Sequence, residues 1–240
     1  MTDRDLAIKR YVTNFGPLTR EQLEELAKYA KAEEKLGAPS KLWRRLLPRK
    51  PLIAQKQVYY WEAPFGQKYV YADYQEITKR KDCTHDIITT WVQIILHIFF
   101  SLLHWQRGKQ KHANEVNEDG FFILGLPLPN KVAEVDYYLE SDTGSEGYTQ
   151  IYNKWQQYTE MLENSEKAFF VLFVCATKER ALDLVRCASG KKSKKYAIAR
   201  EHRIAFLFTY LDALRASPKG AICYVPYENE EKLFTILPPV

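Results

Sequence analysis

Between Pro17 and Leu47 the apolar positions fall into two short helical patterns separated by a break, PLTREQLEELAKYAKAEEKLGAPSKLWRRLL. Leu23, Leu26, Ala27 and Ala30 recur at the spacing of one helical face, which must be buried against something. Thr19, with Gln22 three residues on, predicts a capping box in which hydroxyl and amide satisfy orphan backbone N–H groups reciprocally. Leu18 and Leu23 flank that cap as a hydrophobic staple. After Gly37, Ala38 and Pro39, Ser40 caps a second helix through Leu47, with Leu42 and Leu46 on one side and Lys41, Arg44 and Arg45 on the other. A short helix with an apolar back and a cationic front suits a DNA major groove. An ordinary solvated helical hairpin is the competing reading. Upstream, Ile8, Tyr11, Val12 and Phe15 give a helix from about Asp3 to Phe15 capped by Thr2. Downstream, Leu52 to Trp61 and Lys68 to Tyr74 are rich in tyrosine and β-branched residues and flank the turn APFGQ, which predicts a β-hairpin. Three helices followed by a hairpin make a winged helix.

The pattern changes after the charge run TKRKD, Thr78 to Asp82, which reads as a linker. A long helix is predicted from His85 to Trp105. Its polar residues Asp86, Thr90, Gln93, His97, Ser101 and His104 draw one wet stripe along an otherwise apolar cylinder, a pattern for packing on a sheet or partner and not for lipid. Arg107 to Gly120 is a hydrophilic loop. FFIL from Phe121 and EVDYYLE ending at Glu140 predict strands, SDTGSEG a turn, and Tyr148 to Glu163 a helix with Ile151, Trp155, Tyr158 and Leu162 inward. AFFVLFVCA, from Ala168, is a continuous apolar run, as a strand buried on both faces requires. A helix over Lys178 to Cys187 follows, then strands at Ile204 to Tyr210, Ala221 to Val225 and Leu233 to Leu237. Strands alternating with helices give an α/β layer architecture. The expectation is α+β overall: a winged helix-turn-helix domain over residues 1–80 and an α/β domain over 81–240.

Charge sharpens this division. The 240 residues are 46% hydrophobic and 27% charged, as in a soluble globular chain, with a formal net charge of +5. Residues 1–80 hold 16 Lys and Arg against 10 Asp and Glu, whereas the remaining 160 carry 19 against 20. The positive excess lies with the predicted groove helix, the electrostatic footprint of a nucleic-acid contact or of a basic face for an acidic protein. Cys83, Cys175, Cys187 and Cys223 lack metal or redox spacing and read as reduced thiols. Met1 to Arg4 shows no apolar signal core, so a cytoplasmic location is expected.

The second half offers one acidic constellation. Asp119 precedes a predicted strand, Glu140 and Asp142 end the next, and Lys154 lies one turn into the following helix. Carboxylates at adjacent strand ends can converge on a divalent cation, with lysine steadying a phosphate or a water. This arrangement resembles the restriction-endonuclease-like superfamily, except that the position two after Glu140 holds Asp142 where that pattern has lysine. Strand termination and helix capping explain the same acids without chemistry, and a register slip would nominate Glu134 and Asp136. His97 and His104 share a predicted helix face, but solvated histidines are the simpler reading. GKKSKK, Gly190 to Lys195, reads as a solvated cationic loop able to touch phosphate nonspecifically. There is no glycine-rich phosphate loop.

The order of these features resembles the replication-relaxation family of plasmids, phages and integrative elements of Gram-positive bacteria. The winged helix spans LAIKRYVTNFGPLTREQLEEL to KYVYADYQEI. His85 and Asp86 match a histidine-led helix, and Asp119 and Gly120 an acidic strand start. Glu140, Asp142, Gly144 and Ser145 match the family's acidic and glycine segment, Lys154 and Tyr158 its helix, and Arg180 the arginine after its apolar strand. The resemblance implies a DNA-binding protein acting in replication, relaxation or regulation, with a second half related to nucleases.

Two functional expectations follow. In the first, a noncatalytic protein binds double-stranded DNA in a sequence-specific way, with Ser40, Lys41, Arg44 and Arg45 at the groove and Lys35, Lys50, Lys56 and Lys68 at phosphates. It needs no cofactor, acts as a homodimer to double its footprint, and meets replication or relaxosome proteins. In the second, Asp119, Glu140 and Asp142 hold Mg²⁺ and Lys154 assists DNA hydrolysis. A protein-interaction adaptor is a third class.

Overall fold

A computed structural model of the chain describes residues 18–19, 21–22, 25–26, 70–71, 84–108, 118–226 and 231–237. The chain divides into two compact units, Met1–Ile94 and Ile95–Val240.

In the first unit the strand β1 (Leu18–Thr19) pairs antiparallel with β2 (Val70–Tyr71), Leu18 opposite Tyr71 and Thr19 opposite Val70. Backbone is helical at Glu21 and Gln22, where the capping box forms. The Gln22 N–H donates to Thr19 Oγ1 at 3.2 Å, and the Thr19 N–H donates to Gln22 Oε1 at 2.7 Å. Gln22 Nε2 in turn donates to the Ile87 carbonyl at 2.9 Å, so every polar atom of this buried amide is engaged. Leu26 is buried, as the helical periodicity requires, and so is Leu18 of β1.

Ile87 belongs to α1 (Thr84–Phe99), within which the boundary between the units falls. The sequence predicts a helix through Trp105 with a wet stripe along it. The structure corrects both expectations. Asp86, Thr90 and Gln93 are buried, and the helix stops at Phe99. LLHWQR then forms the strand β3 (Leu102–Arg107), so His97 and His104 share no helix face. An apolar run of this length satisfies either secondary structure locally; what selects strand is the ladder from Leu102–Leu124 to Arg107–Gly120.

The second unit is built on a seven-stranded mixed sheet in chain order, β3-β4-β5-β6-β7-β8-β9. β4 (Gly120–Leu128) and β5 (Lys131–Asp142) form a long hairpin whose two-residue turn is Pro129 and Asn130, and β3 pairs antiparallel with β4. α2 (Tyr148–Asn164) then returns the chain so that β6 (Phe169–Cys175) lies parallel to β5. α3 (Lys178–Ala188), followed by 3₁₀ turns at Lys194–Tyr196 and Arg200–Ala205, does the same for β7 (Phe206–Tyr210). Parallel neighbours need such crossovers, whereas antiparallel ones need only turns. After the short α4 (Leu211–Ala216), β8 (Cys223–Pro226) and β9 (Glu231–Phe234) complete the sheet antiparallel.

Each sheet face has its own aromatic core. On one, Trp155 of α2 meets Phe173 and Phe208 edge-on at 6.4 and 6.1 Å, beside Ile151, Tyr158, Ala181 and Leu184. On the other, Trp105, Phe122, Tyr137 and Phe170 stack across four strands with centroids 5.9, 4.9 and 5.4 Å apart. Within that ladder the Tyr137 hydroxyl donates to the Ile236 carbonyl at 2.6 Å. Buried aromatic pairs of this kind contribute about 0.5–1.5 kcal/mol each beyond their area. Cys175, Cys187 and Cys223 are free and buried, while Cys83 lies outside the described residues. Among the described residues no helix is long and apolar enough to cross a membrane.

Candidate functional site

The acidic residues meet where β4 begins and β5 ends. Asp119 stands just before β4, and its Oδ2 accepts the Ser141 N–H of β5 at 2.6 Å. Its own N–H donates to the Leu139 carbonyl at 3.0 Å, so backbone on both sides of Glu140 holds it. Gly108, just after β3, lets that strand end lie against the residues before β4: its N–H donates to the Asp119 carbonyl at 3.0 Å, and a Cβ there would fall 1.7 Å from the Glu118 carbonyl oxygen. Glycine is required here for space and not for an unusual backbone angle.

Pleating turns Glu140 to the face covered by α2. Lys154 Nζ donates to Glu140 Oε2 at 2.8 Å, and the Tyr158 hydroxyl donates to Oε1 at 2.6 Å. Lys154 and Tyr158 are four apart on α2 and reach the same carboxyl because one helical turn places them on one face. Lys154 also lies 3.0 Å from Glu146 Oε1, a contact that the sequence reading missed. Glu146 sits in the turn before α2, and nothing in linear spacing shows that this turn folds back over the helix.

Asp142, two residues along β5, is engaged elsewhere. Its Oδ1 accepts the Gly144 N–H at 2.6 Å, and its Oδ2 pairs with Arg180 Nε at 2.7 Å. Arg180 Nη2 also donates to the Glu146 carbonyl at 2.7 Å, fixing the turn from outside. Gly144 has φ of +86°, a left-handed conformation that favours glycine. The carbonyl of Asp142 accepts the Ala176 N–H at 2.9 Å, and Ser141 and Asp142 are therefore strand and not turn residues.

Electrostatics set Glu140 apart. Burial, reinforced by the Asp119 carboxylate, pushes its carboxyl up to about 8 against the opposing pull of Lys154 and Tyr158. Burial works against the Lys154 ammonium, yet Glu140, then Asp119 and Glu146, hold it charged above the ordinary lysine range. Burial and the same carboxyl push the Tyr158 hydroxyl well up. Glu140 is thus the group here that changes charge near neutrality, while Lys154 stays cationic.

Asp119, Glu140 and Lys154 come together, and Asp142 turns to a separate ion pair. Among the described residues no group of three or more His, Cys, Asp or Glu is placed to hold a metal ion. Glu134 and Asp136, the alternatives for another register, face Lys167, at 3.8 and 2.7 Å. The predicted DNA contacts Lys35, Ser40, Lys41, Arg44, Arg45, Lys50, Lys56 and Lys68 lie outside the described residues.

No protein-family model, curated protein or solved structure matches the chain.

Proposed function

We propose that the chain is a double-stranded-DNA-binding protein of a plasmid, phage or integrative element, related to the replication-relaxation family. It acts as a cytoplasmic homodimer in replication, DNA relaxation and transfer, or transcription. The observation carrying this reading is the pairing of β1 with β2. β2 falls within the second run of the predicted hairpin, and β1 immediately precedes the capped helix. A strand that returns to the one ahead of that helix fits the closure a winged helix needs, and the basic segment Ser40 to Lys50 lies between the two strands in sequence. The charge excess of residues 1–80 supports the same assignment. The α/β unit then serves assembly, since Glu140 and Asp142 have both carboxylate oxygens engaged by protein donors.

The test is selection from fragmented DNA of the host element at about physiological salt, where nonspecific phosphate binding is weak. The expected result is one enriched site with inverted or direct repeats. Retention without enrichment, or none, contradicts sequence-specific binding.

A metal-dependent nuclease is the second reading, favoured by Asp119 beside Glu140 with Lys154 at hydrogen-bond distance. It requires cleavage of supercoiled or linear DNA with Mg²⁺ or Mn²⁺ that disappears in Asp119→Ala and Glu140→Ala. Intact DNA with the wild type removes it.

A further inference from the structure

We infer that the second unit carries its own contact to the duplex DNA backbone, made by the lysine-bearing turn after α3. From Leu184 to Arg200 there are six cations and no carboxylate, within a half of the chain whose charges otherwise sum to an acidic excess. The sequence predicts a solvated loop here, and the structure shows a folded turn. Gly190 takes φ of +82°, and the Lys192 N–H donates to the Arg186 carbonyl at 3.0 Å. The Ile198 N–H donates to the Ala188 carbonyl at 2.9 Å, with the Ile198 side chain buried. Between these anchors the 3₁₀ turn Lys194–Tyr196 lays the Tyr196 ring edge-on to Tyr152 at 5.7 Å.

Lys192 is neutralised: it donates to Asp183 Oδ1 and to the Tyr148 hydroxyl, each at 2.5 Å. Lys191, Lys194 and Lys195 are exposed and make no ion pair among the described residues. The backbone bearing them is already ordered, so a ligand meets three ammonium groups without the cost of ordering a loop. Of their neighbours in the turn, Ser193 and Ala197 give a protein partner no aromatic anchor and a bilayer no apolar wedge, and the Tyr196 ring lies 5.3 Å from the Lys195 ammonium. Tyr196 is packed into the turn, half-buried, and offers little face for base stacking. What remains is charge alone, the chemistry that meets a phosphate backbone and positions it without reading sequence.

The inference rests on the reading of the chain as a DNA-binding protein and adds a second surface to it. The test compares the full chain, its Lys191→Ala/Lys194→Ala/Lys195→Ala variant and its Arg44→Ala/Arg45→Ala variant on a 30-base-pair duplex across a salt series. Loss of three phosphate contacts lowers the slope of log affinity against log salt by about 3, and weakens binding roughly 10- to 100-fold at low salt on any sequence. A triple-lysine variant with the wild-type slope, while Arg44→Ala/Arg45→Ala loses affinity, overturns the lysine turn and leaves the DNA-binding reading standing. A wild type without duplex affinity overturns both. Binding to phosphatidylserine vesicles that the lysine changes abolish, with duplex affinity untouched, assigns the turn to membranes and overturns it as a DNA contact.

Discussion

Lys154 Nζ stands 2.8 Å from Glu140 Oε2, joining α2 to the end of β5 through a carboxyl with only 2% of its side chain exposed. Removing one member of such a pair leaves a buried group without its partner, at a cost of about 3–5 kcal/mol. Lys154→Met is therefore expected to lower the denaturant midpoint strongly at pH 8.5. Adding Glu140→Gln should recover much of the loss, because the neutral amide needs no cation. Equal midpoints for the single and double variants would show that the two residues are not coupled.

Folding holds a proton on Glu140 up to about pH 8, whereas the ordinary value is 4.5. A folded value above the unfolded one means that the native state binds more protons between these limits. The contribution of this group to stability is thus full below about 4.5 and is lost as pH rises through about 8. Urea unfolding of wild type and Glu140→Gln from pH 5 to 9 should show the wild type losing ground steadily, by on the order of 2–5 kcal/mol in total. A difference that does not change with pH would mean that Glu140 is ionised throughout.

Arg180 binds Asp142 and the Glu146 carbonyl together, so it acts as the clasp of the turn before α2. Arg180→Ala leaves a buried aspartate without its charge partner and should cost about 2–4 kcal/mol. It should also open Glu146 to a glutamate-specific protease faster than global unfolding does. Cleavage that simply tracks global stability would argue against a local clasp.

Thr19→Ala removes one half of the capping box and should cost about 1 kcal/mol. Gln22→Ala should cost more, because it frees both the Thr19 N–H and the Ile87 carbonyl. Hydrogen exchange at the Thr19 amide separates the two: it accelerates in Gln22→Ala and changes little in Thr19→Ala.

What could be read from the sequence was set by range of interaction. The Thr19–Gln22 box, the strand around Phe169 to Cys175 and the helix from Tyr148 depend on neighbours within a few residues. All three form where their residues indicate. β3 was hidden because LLHW continues the apolar character of α1, and only pairing with β4 makes it a strand. Lys154 was identifiable beside Glu140 from its place one turn into the next helix. The departure of Asp142 toward Arg180 was not, since 38 residues and a strand separate them. The lysine run Gly190 to Lys195 was visible as a cationic segment able to touch phosphate, but its ordered turn was not, because that order comes from Ile198 and Tyr196 packing on the helices while the composition is that of a solvated loop.

The central claim of the proposed function is that the basic segment Ser40 to Lys50 grips duplex DNA. Its most direct test is the affinity of wild type and Arg44→Ala/Arg45→Ala for the selected duplex, by fluorescence anisotropy at about physiological salt. A groove contact predicts a loss of about 1–3 kcal/mol for each specific base pairing removed, with much smaller loss on unrelated duplex. Equal affinity of the two proteins for the selected site would contradict it.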